Sequence, residues 1–200
     1  SAAQERTAIT LVKSSGGLVE GTLRDGVRRF KGLRYAQPLT GANRWQLPKA
    51  PERWFGIYRA TESGAALPQV ETPYKWFGPI ETAMSSDCLF LDITAPEQCA
   101  TPKPVLVWIH GGAFLYGSGS ERIYDGAALA RTGDIVVVSL NYRMGIYGFA
   151  GLCHLDPDFS PSPNLGLHDQ IAALRWVRDN IAAFGGDTDN GTIAGESGGG

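Results

Sequence analysis

The sequence predicts an α/β fold in which a small antiparallel meander precedes a mostly parallel sheet. Residues 105–109 and 135–140 are apolar almost throughout, as expected of parallel strands that helices cover on both faces. Residues 167–184 place apolar side chains at helical spacing, ahead of a further short strand at 192–194. This alternation of strand and helix favours a right-handed parallel arrangement.

The meander is expected over residues 1–37. Turn residues separate its three apolar stretches, and the Asp25-Gly26 pair is a strong signal for a two-residue hairpin. Residues 38–104 are rich in proline, glycine and aromatic side chains, which predicts a loop-rich segment. The apolar stretches of the meander are 8–12, 18–23 and 27–33.

Residues 105–200 are expected to form the parallel α/β core. A short helix near 125–131 joins the first two strands of this core, with Asp125 as a suitable N-cap and Gly133 as a suitable end. Gly185 closes the long helix. We predict that all three parts of the chain belong to one domain.

Composition excludes several classes of partner. The chain has 43% hydrophobic and 19% charged residues, and 18 bases against 20 acids give a formal charge of −2, so no basic surface for nucleic acid is expected. Its apolar stretches are far shorter than the roughly 20 residues of a membrane-spanning helix. The 3 cysteines show no metal-binding spacing. We expect a small-molecule partner, no metal and no cofactor; the compartment, secreted or cytoplasmic, stays open.

Residues 195–199 read Gly-Glu-Ser-Gly-Gly, a full match to the pattern G-x-S-x-G, directly after the last predicted strand. In a nucleophile elbow the chain turns sharply from strand to helix and presents the serine Oγ to a pocket, while the flanking glycines let the two elements close. Such a match also arises by chance in a chain with 26 glycines. A flexible turn is therefore the alternative to a nucleophile at Ser197.

A second motif, His110-Gly111-Gly112-Ala113-Phe114, follows the first strand of the predicted core. Small residues here can present bare N–H groups to the oxyanion of a tetrahedral intermediate, and the loss of one such donor costs about 3 kcal/mol. A phosphate-binding loop is excluded, because the lysine of G-x-x-x-x-G-K-[ST] is missing and no G-x-G-x-x-G pattern opens a helix. The two motifs together predict acyl-transfer chemistry.

With these motifs the chain resembles the type-B carboxylesterase/lipase family, which includes cholinesterases and the non-catalytic neuroligins. The resemblance extends over nearly all of the chain and implies the α/β-hydrolase fold. Beside the two motifs, it is carried by FKGLRYAQP (30–38), SDCLFLD (86–92), NYRMG (141–145), NLGLHDQ (164–170) and FGGD (184–187).

The resemblance implies that Ser197 is the nucleophile and that the backbone N–H groups of Gly112, Ala113 and Gly198 form the oxyanion hole. The implied reaction is cleavage of a carboxylic ester through an acyl-enzyme, without a cofactor. Two alternatives stay open. The substrate could be a carbamate, lactone or amide, and the chain could belong to a catalytically silent binding or adhesion protein.

Three aromatic side chains are candidates for the pocket lining. Phe114 and Tyr116 come after residues 110–113, which are called the oxyanion turn below. Trp76 lies in the loop where relatives place aromatic residues. For Phe114 and Tyr116 the alternative is core packing. For Trp76 it is a packed anchor for the loop.

Three positions depart from the family pattern. Gly198 replaces the commoner alanine but keeps its N–H group. Leu67 stands where many relatives have a cysteine that pairs with the one matching Cys88, so that disulfide is expected to be absent. Ser86 replaces an acid that pairs in relatives with an arginine matching Arg44, so that salt bridge is expected to be missing.

The catalytic base and its orienting acid are not found in this sequence. A nucleophilic serine needs a histidine and a carboxylate, and in this fold both follow the serine along the chain. His110 belongs to the oxyanion turn, His154 to a loop and His168 to the long helix; none matches the family's catalytic position. We therefore expect the N-terminal portion of a hydrolase domain, with acid and histidine supplied by the remainder of the same enzyme or a second chain.

Overall fold

The computed structural model describes residues 7–70 and 79–200. Within these ranges one sheet of eight strands is flanked by three α-helices. The strands are β1 (Ala8–Lys13), β2 (Leu18–Arg24), β3 (Val27–Arg34), β4 (Ile57–Arg59), β5 (Phe90–Pro96), β6 (Lys103–Ile109), β7 (Val136–Leu140) and β8 (Gly186–Gly195). The helices are α1 (Ala127–Gly133), α2 (Gly145–Phe149) and α3 (Leu165–Asn180).

The sheet is mixed. Its strand order is β1-β2-β3-β5-β7-β6-β8, and β4 pairs with β2 in parallel. Successive neighbours from β1 to β7 are antiparallel, whereas β7 with β6 and β6 with β8 are parallel. The described part of the chain thus corrects the expectation of a mostly parallel sheet.

The strand β5 is the reason for this difference, and it lies in the segment that was expected to be loop-rich. Leu91 and Ile93 are 1% and 0% exposed. Between them, Asp92 accepts hydrogen bonds from Gly32 N at 2.7 Å and Ser63 Oγ at 2.5 Å. A seven-residue strand with a carboxylate on one face and a proline at its end gives only a weak pattern.

The N-terminal meander forms as expected. β1 pairs with β2 and β2 with β3, both antiparallel. Asp25 and Gly26 have φ values of 54° and 72°, which is the pair of left-handed residues that a type I′ hairpin turn requires. The Asp-Gly pair therefore predicted both central residues of this turn correctly.

The long helix packs against the sheet and closes the core. α3 continues into a 3₁₀ turn, Ile181–Phe184, and ends at Gly185 with φ 95°; it begins two residues before the predicted start. The ring of Phe184 meets that of Phe30 edge to face at 4.8 Å. The sequence suggested Gly133 as the residue that ends the short helix α1. In the structure Gly133 is the last helical residue, and the left-handed position after it is taken by Asp134, with φ 54°.

The strand β8 is longer than the predicted 192–194, and it carries the chain from α3 to the serine motif. No helix in the described ranges is long and apolar enough to span a membrane.

Candidate active site

Ser197 lies at a sharp turn directly after β8. The strand ends at Gly195, Ser197 has a φ of 52°, and a 3₁₀ turn, Ser197–Gly199, begins at once. A left-handed backbone at a residue other than glycine costs on the order of 1 kcal/mol or more. Ser197 is exposed within the described ranges. The local geometry is that of a nucleophile elbow.

The glycines on both sides of Ser197 are required by close packing. A Cβ at Gly195 would collide with Gly199 O, and a Cβ at Gly199 would collide with Ile109 O. The ends of β8 and β6 therefore meet backbone to backbone, which only residues without a Cβ allow. The two glycines of the G-x-S-x-G match therefore have a packing reason in this turn.

The turn after β6 is built from three consecutive left-handed residues. Gly112, Ala113 and Phe114 have φ values of 110°, 54° and 60°. Leu115 N donates to Gly112 O at 2.9 Å, and Gly145 N donates to Phe114 O at 2.6 Å. These hydrogen bonds hold a backbone that two of its three residues adopt only at a cost.

The serine turn and this second turn lie against each other. A Cβ on Gly111 would lie 3.1 Å from Ser197 Cβ, and a Cβ on Gly198 would lie 3.6 Å from Ala113 N. Within the described part of the chain, the N–H groups of Gly112, Ala113 and Gly198 donate to no protein acceptor. Free N–H groups beside an exposed serine are the components of an oxyanion hole.

The candidate pocket residues have different surroundings. Phe114 is 41% exposed, and its ring packs against Phe149 at 5.2 Å. A Cβ on Gly198 would lie 3.6 Å from Phe114 Cε1, so this ring borders the site. Tyr116 is half-buried, and its carbonyl oxygen abuts Gly112. Trp76 lies outside the described residues.

The three histidines of the chain have different surroundings. His154 is exposed, with Nδ1 2.9 Å from Gly151 O, and His168 lies on α3. His110 is buried, with Nδ1 2.7 Å from Gly111 O. None of the three hydrogen-bonds to Ser197 within the described ranges. Sequence reasoning placed His110 in the turn but missed the contact of its Nδ1 with Gly111 O, although its position directly before two glycines was a usable signal.

Burial lowers the pKa of His110 to about 4, with a smaller opposing effect from the Gly111 carbonyl. Tyr142 stacks on the ring and stays neutral, because burial raises its pKa to about 12. In the unfolded chain His110 titrates near pKa 6.5, so the unfolded state binds the proton first as the pH falls. The free energy of unfolding should then decrease by about 3 kcal/mol in total between about pH 6.5 and pH 4 through this residue.

Urea denaturation at a series of pH values tests this expectation. The His110→Asn variant lacks the titrating ring, so its free energy of unfolding should decline less steeply across the same interval. Parallel pH dependence of wild type and variant would contradict a buried, neutral His110.

The departures from the family pattern have structural counterparts. The 3 cysteines are free, as expected for Cys88 without its partner; Cys88 is buried, and burial raises its pKa. Arg44 forms no salt bridge within the described ranges, and its buried Nε has no hydrogen-bond partner. Its guanidinium lies 5.8 Å from the centre of the Trp45 ring.

A buried ion pair joins α3 to the residues that follow β7. Arg143 and Asp169 are both 0% exposed, and Arg143 Nη2 and Nε donate to Asp169 Oδ1 and Oδ2 at 2.7 and 2.8 Å. Arg143 N also donates to Asp169 Oδ2 at 2.9 Å. This pair ties α3 to the segment that leads from β7 into α2. Gly145, the first residue of α2, donates its N–H to Phe114 O.

The glycines at 198 and 199 should respond differently to a methyl group. A Cβ on Gly198 would meet Phe114 N at 3.4 Å, an ordinary contact, and the φ of Gly198 is not left-handed. Gly198→Ala should therefore raise the free energy of unfolding by about 0.5 kcal/mol, mainly by restricting the unfolded chain. Gly199→Ala should lower it by about 2 kcal/mol or more through overpacking against Ile109 O. Urea denaturation of both variants measures this; equal effects would contradict the packing described here.

Comparison with known proteins is consistent with this geometry. The sequence model of the carboxylesterase family matches residues 8–200. Para-nitrobenzyl esterase of Bacillus subtilis (strain 168) is 46% identical over 190 residues, covering 95% of this chain and 38% of that protein. Acetylcholinesterase of Danio rerio is 42% identical over 199 residues, covering 92% and 30%. A solved structure of a PNB esterase matches with TM-score 0.89 at 46% identity, covering 94% of this chain and 38% of that one.

The fold and the serine turn define a protein of the α/β-hydrolase class. The chain belongs to the carboxylesterase family. It spans 38% of the length of the Bacillus subtilis relative and 30% of the length of the Danio rerio relative.

Proposed function

We propose that the protein hydrolyses carboxylic esters through an acyl-enzyme on Ser197. The observation that carries the proposal is the strained, exposed Ser197 beside three N–H groups that donate to no protein acceptor in residues 7–70 and 79–200. Backbone strain and unpaired N–H groups both cost free energy. They are expected at a catalytic site, where the reaction makes use of them. The names of the relatives, a para-nitrobenzyl esterase and an acetylcholinesterase, support the same class of substrate.

The reaction has two halves. Ser197 Oγ attacks the ester carbonyl and passes its proton to a histidine base; the carbonyl oxygen becomes an oxyanion held by the N–H groups of Gly112, Ala113 and Gly198. The carbon–oxygen bond to the alcohol then breaks, and the alcohol leaves with the proton. Water attacks the acyl-enzyme in the same way and releases the carboxylic acid and the serine hydroxyl.

The base and its orienting acid are proposed to come from sequence outside this chain. His110 is buried below the oxyanion turn, while His154 is exposed and bonded to its own loop. His168 lies on α3, which packs on the sheet. The coverage of the relatives, 30–38% of their lengths, leaves ample sequence in them for both groups. We propose no cofactor and no metal for this reaction.

Organophosphate labelling separates an enzyme from a silent binding protein on the same scaffold. Full-length protein treated with a p-nitrophenyl dialkyl phosphate should release one p-nitrophenolate per molecule and carry the dialkylphosphoryl group on the peptide with Ser197. The Ser197→Ala variant is the matched control and should remain unlabelled. A folded wild-type protein that takes up no label would favour the binding protein.

Substrate class requires a separate measurement. Because Phe114 borders the site and is exposed, a series of p-nitrophenyl esters of increasing acyl length should show a decline in kcat/KM once the chain exceeds the space beside this ring. Carbamates and lactones assayed in parallel test the alternative acyl donors. A higher kcat/KM for a carbamate or a lactone than for every ester would contradict the proposal of an ester substrate.

A further inference from the structure

The side chain of His110 lies beneath the oxyanion turn and has no part in the reaction steps above. Its ring is 0% exposed and stacks on Tyr142 with 4.8 Å between ring centres. Nδ1 lies 2.7 Å from Gly111 O, while Nε2 has no hydrogen-bond partner within the described ranges. Among the described residues, Gly111 O is the one hydrogen-bond partner of this buried ring, so the loss of that contact would leave the ring without any.

The contact fixes the tautomer of His110. Gly111 O can only accept a hydrogen bond, so Nδ1 carries the proton and donates it. The other tautomer would set the Nδ1 lone pair against the carbonyl oxygen. It would also leave a buried Nε2–H without an acceptor, at a cost of about 1–3 kcal/mol.

The planar peptide between Gly111 and Gly112 transmits this contact to the site. In a trans peptide the C=O and N–H bonds point in opposite directions. Because His110 holds Gly111 O on one side of the turn, the N–H of Gly112 is directed to the other side. Both residues are glycines, whose backbones rotate easily without such a restraint.

Neighbouring groups keep the ring in place. A Cβ on Gly117 would lie 2.6 Å from His110 Nδ1, so the backbone of Gly117 lies directly against the ring. Gln69 holds that backbone, since its Oε1 accepts from Gly117 N at 2.5 Å and its Nε2 donates to Gly117 O at 2.9 Å. Tyr142 Oη donates to His110 O at 2.9 Å. The ring therefore has little room to leave Gly111 O.

We infer that His110 is a positioning residue of the oxyanion hole, whose Nδ1–H orients the Gly111–Gly112 peptide so that Gly112 N–H faces the developing oxyanion. The inference rests on the proposed function. It adds the side chain that aligns one of the backbone donors of the oxyanion hole, the N–H of Gly112. A ring that only filled the core could be replaced by any side chain of similar volume. An orienting ring requires a donor at the Nδ1 position.

Two variants of similar shape separate these roles in the full-length protein. Asparagine places its Nδ2 close to the position of histidine Nδ1 and can donate to Gly111 O, whereas leucine has nearly the same shape and no donor. With p-nitrophenyl acetate, kcat of His110→Leu should fall about 10–100-fold below that of His110→Asn. KM should stay within about twofold, because the aligned N–H acts mainly in the transition state. His110→Phe keeps a ring against Tyr142 and should show a similar loss against wild type.

Near-UV circular dichroism establishes which variants are folded. Equal kcat in folded His110→Asn and His110→Leu, or wild-type kcat in His110→Phe, would overturn the inference. Nitrogen-15 NMR of histidine-labelled wild type gives a readout that needs no substrate: His110 should be protonated on Nδ1 at neutral pH, and a proton on Nε2 would overturn the inference. An Nδ1–H tautomer in a folded protein that turns over no ester would contradict the proposed function instead.

Discussion

Ser197→Ala should abolish ester turnover while leaving the fold intact. The nucleophile forms the covalent intermediate, so kcat should fall by about 10⁴-fold to 10⁶-fold, with residual catalysis from the oxyanion hole. The side chain is exposed, and alanine has the same left-handed φ to sustain, so the free energy of unfolding should change by less than about 0.5 kcal/mol. Steady-state kinetics and urea denaturation of one preparation measure both effects.

Ser197→Gly is the matched control for the backbone strain. Glycine adopts a φ near the observed 52° without cost, so this variant should be more stable than Ser197→Ala by about 1 kcal/mol and equally inactive. Equal stability of the two variants would mean that no strain is held at the elbow. Retained activity in either variant would show that another residue is the nucleophile.

Asp169→Asn should cause the largest loss of stability. Arg143 is fully buried, and its charge is balanced by the Asp169 carboxylate through two side-chain hydrogen bonds. Removing the charge of one partner leaves the other buried without compensation, which typically costs about 3–5 kcal/mol. Activity should decline as well, because the segment after Arg143 holds Phe114 O through Gly145 N. Urea denaturation gives the free energy, and the burst of p-nitrophenolate gives the active fraction.

The same helix supplies the control. Asp179 pairs with Arg178 at 2.9 Å, but the two side chains are 55% and 68% exposed. Asp179→Asn should change the free energy of unfolding by less than about 0.5 kcal/mol. A loss of similar size in both variants would mean that burial is not the source of the effect.

The parts of the fold that sequence could predict are those with a strong local cause. Asp25-Gly26 demanded a left-handed turn and formed one. The glycines around Ser197 were identified by their spacing, and the structure supplies the reason, since the ends of β8 and β6 leave no room for a Cβ at Gly195 or Gly199. The long helix α3 was predicted from the period of its apolar residues. Val177, Ile181 and Phe184 of that pattern lie in the core, whereas Leu167 and Ile171 are 45% and 44% exposed.

The remainder depends on contacts between segments far apart in the chain. The antiparallel pairing of β5 with β3 and β7 is decided by partners that no local pattern reveals. The same holds for the hydrogen bonds of Asp92 and for the hold of Gln69 on Gly117, which joins residues 48 positions apart. His110 was recognised as part of a motif, but the contact of its Nδ1 with Gly111 O depends on how the folded chain orients the ring. Backbone strain at Ala113 and Phe114 likewise has no marker in these side chains.

Trapping the acyl-enzyme tests the central claim most directly. Full-length protein mixed with excess p-nitrophenyl acetate and quenched in acid should yield a peptide in which the acetyl group is bound to Ser197. The amount of that peptide should match the burst of p-nitrophenolate. An acetyl group on a different residue that accounts for the burst, with Ser197 unmodified during turnover, would contradict the account.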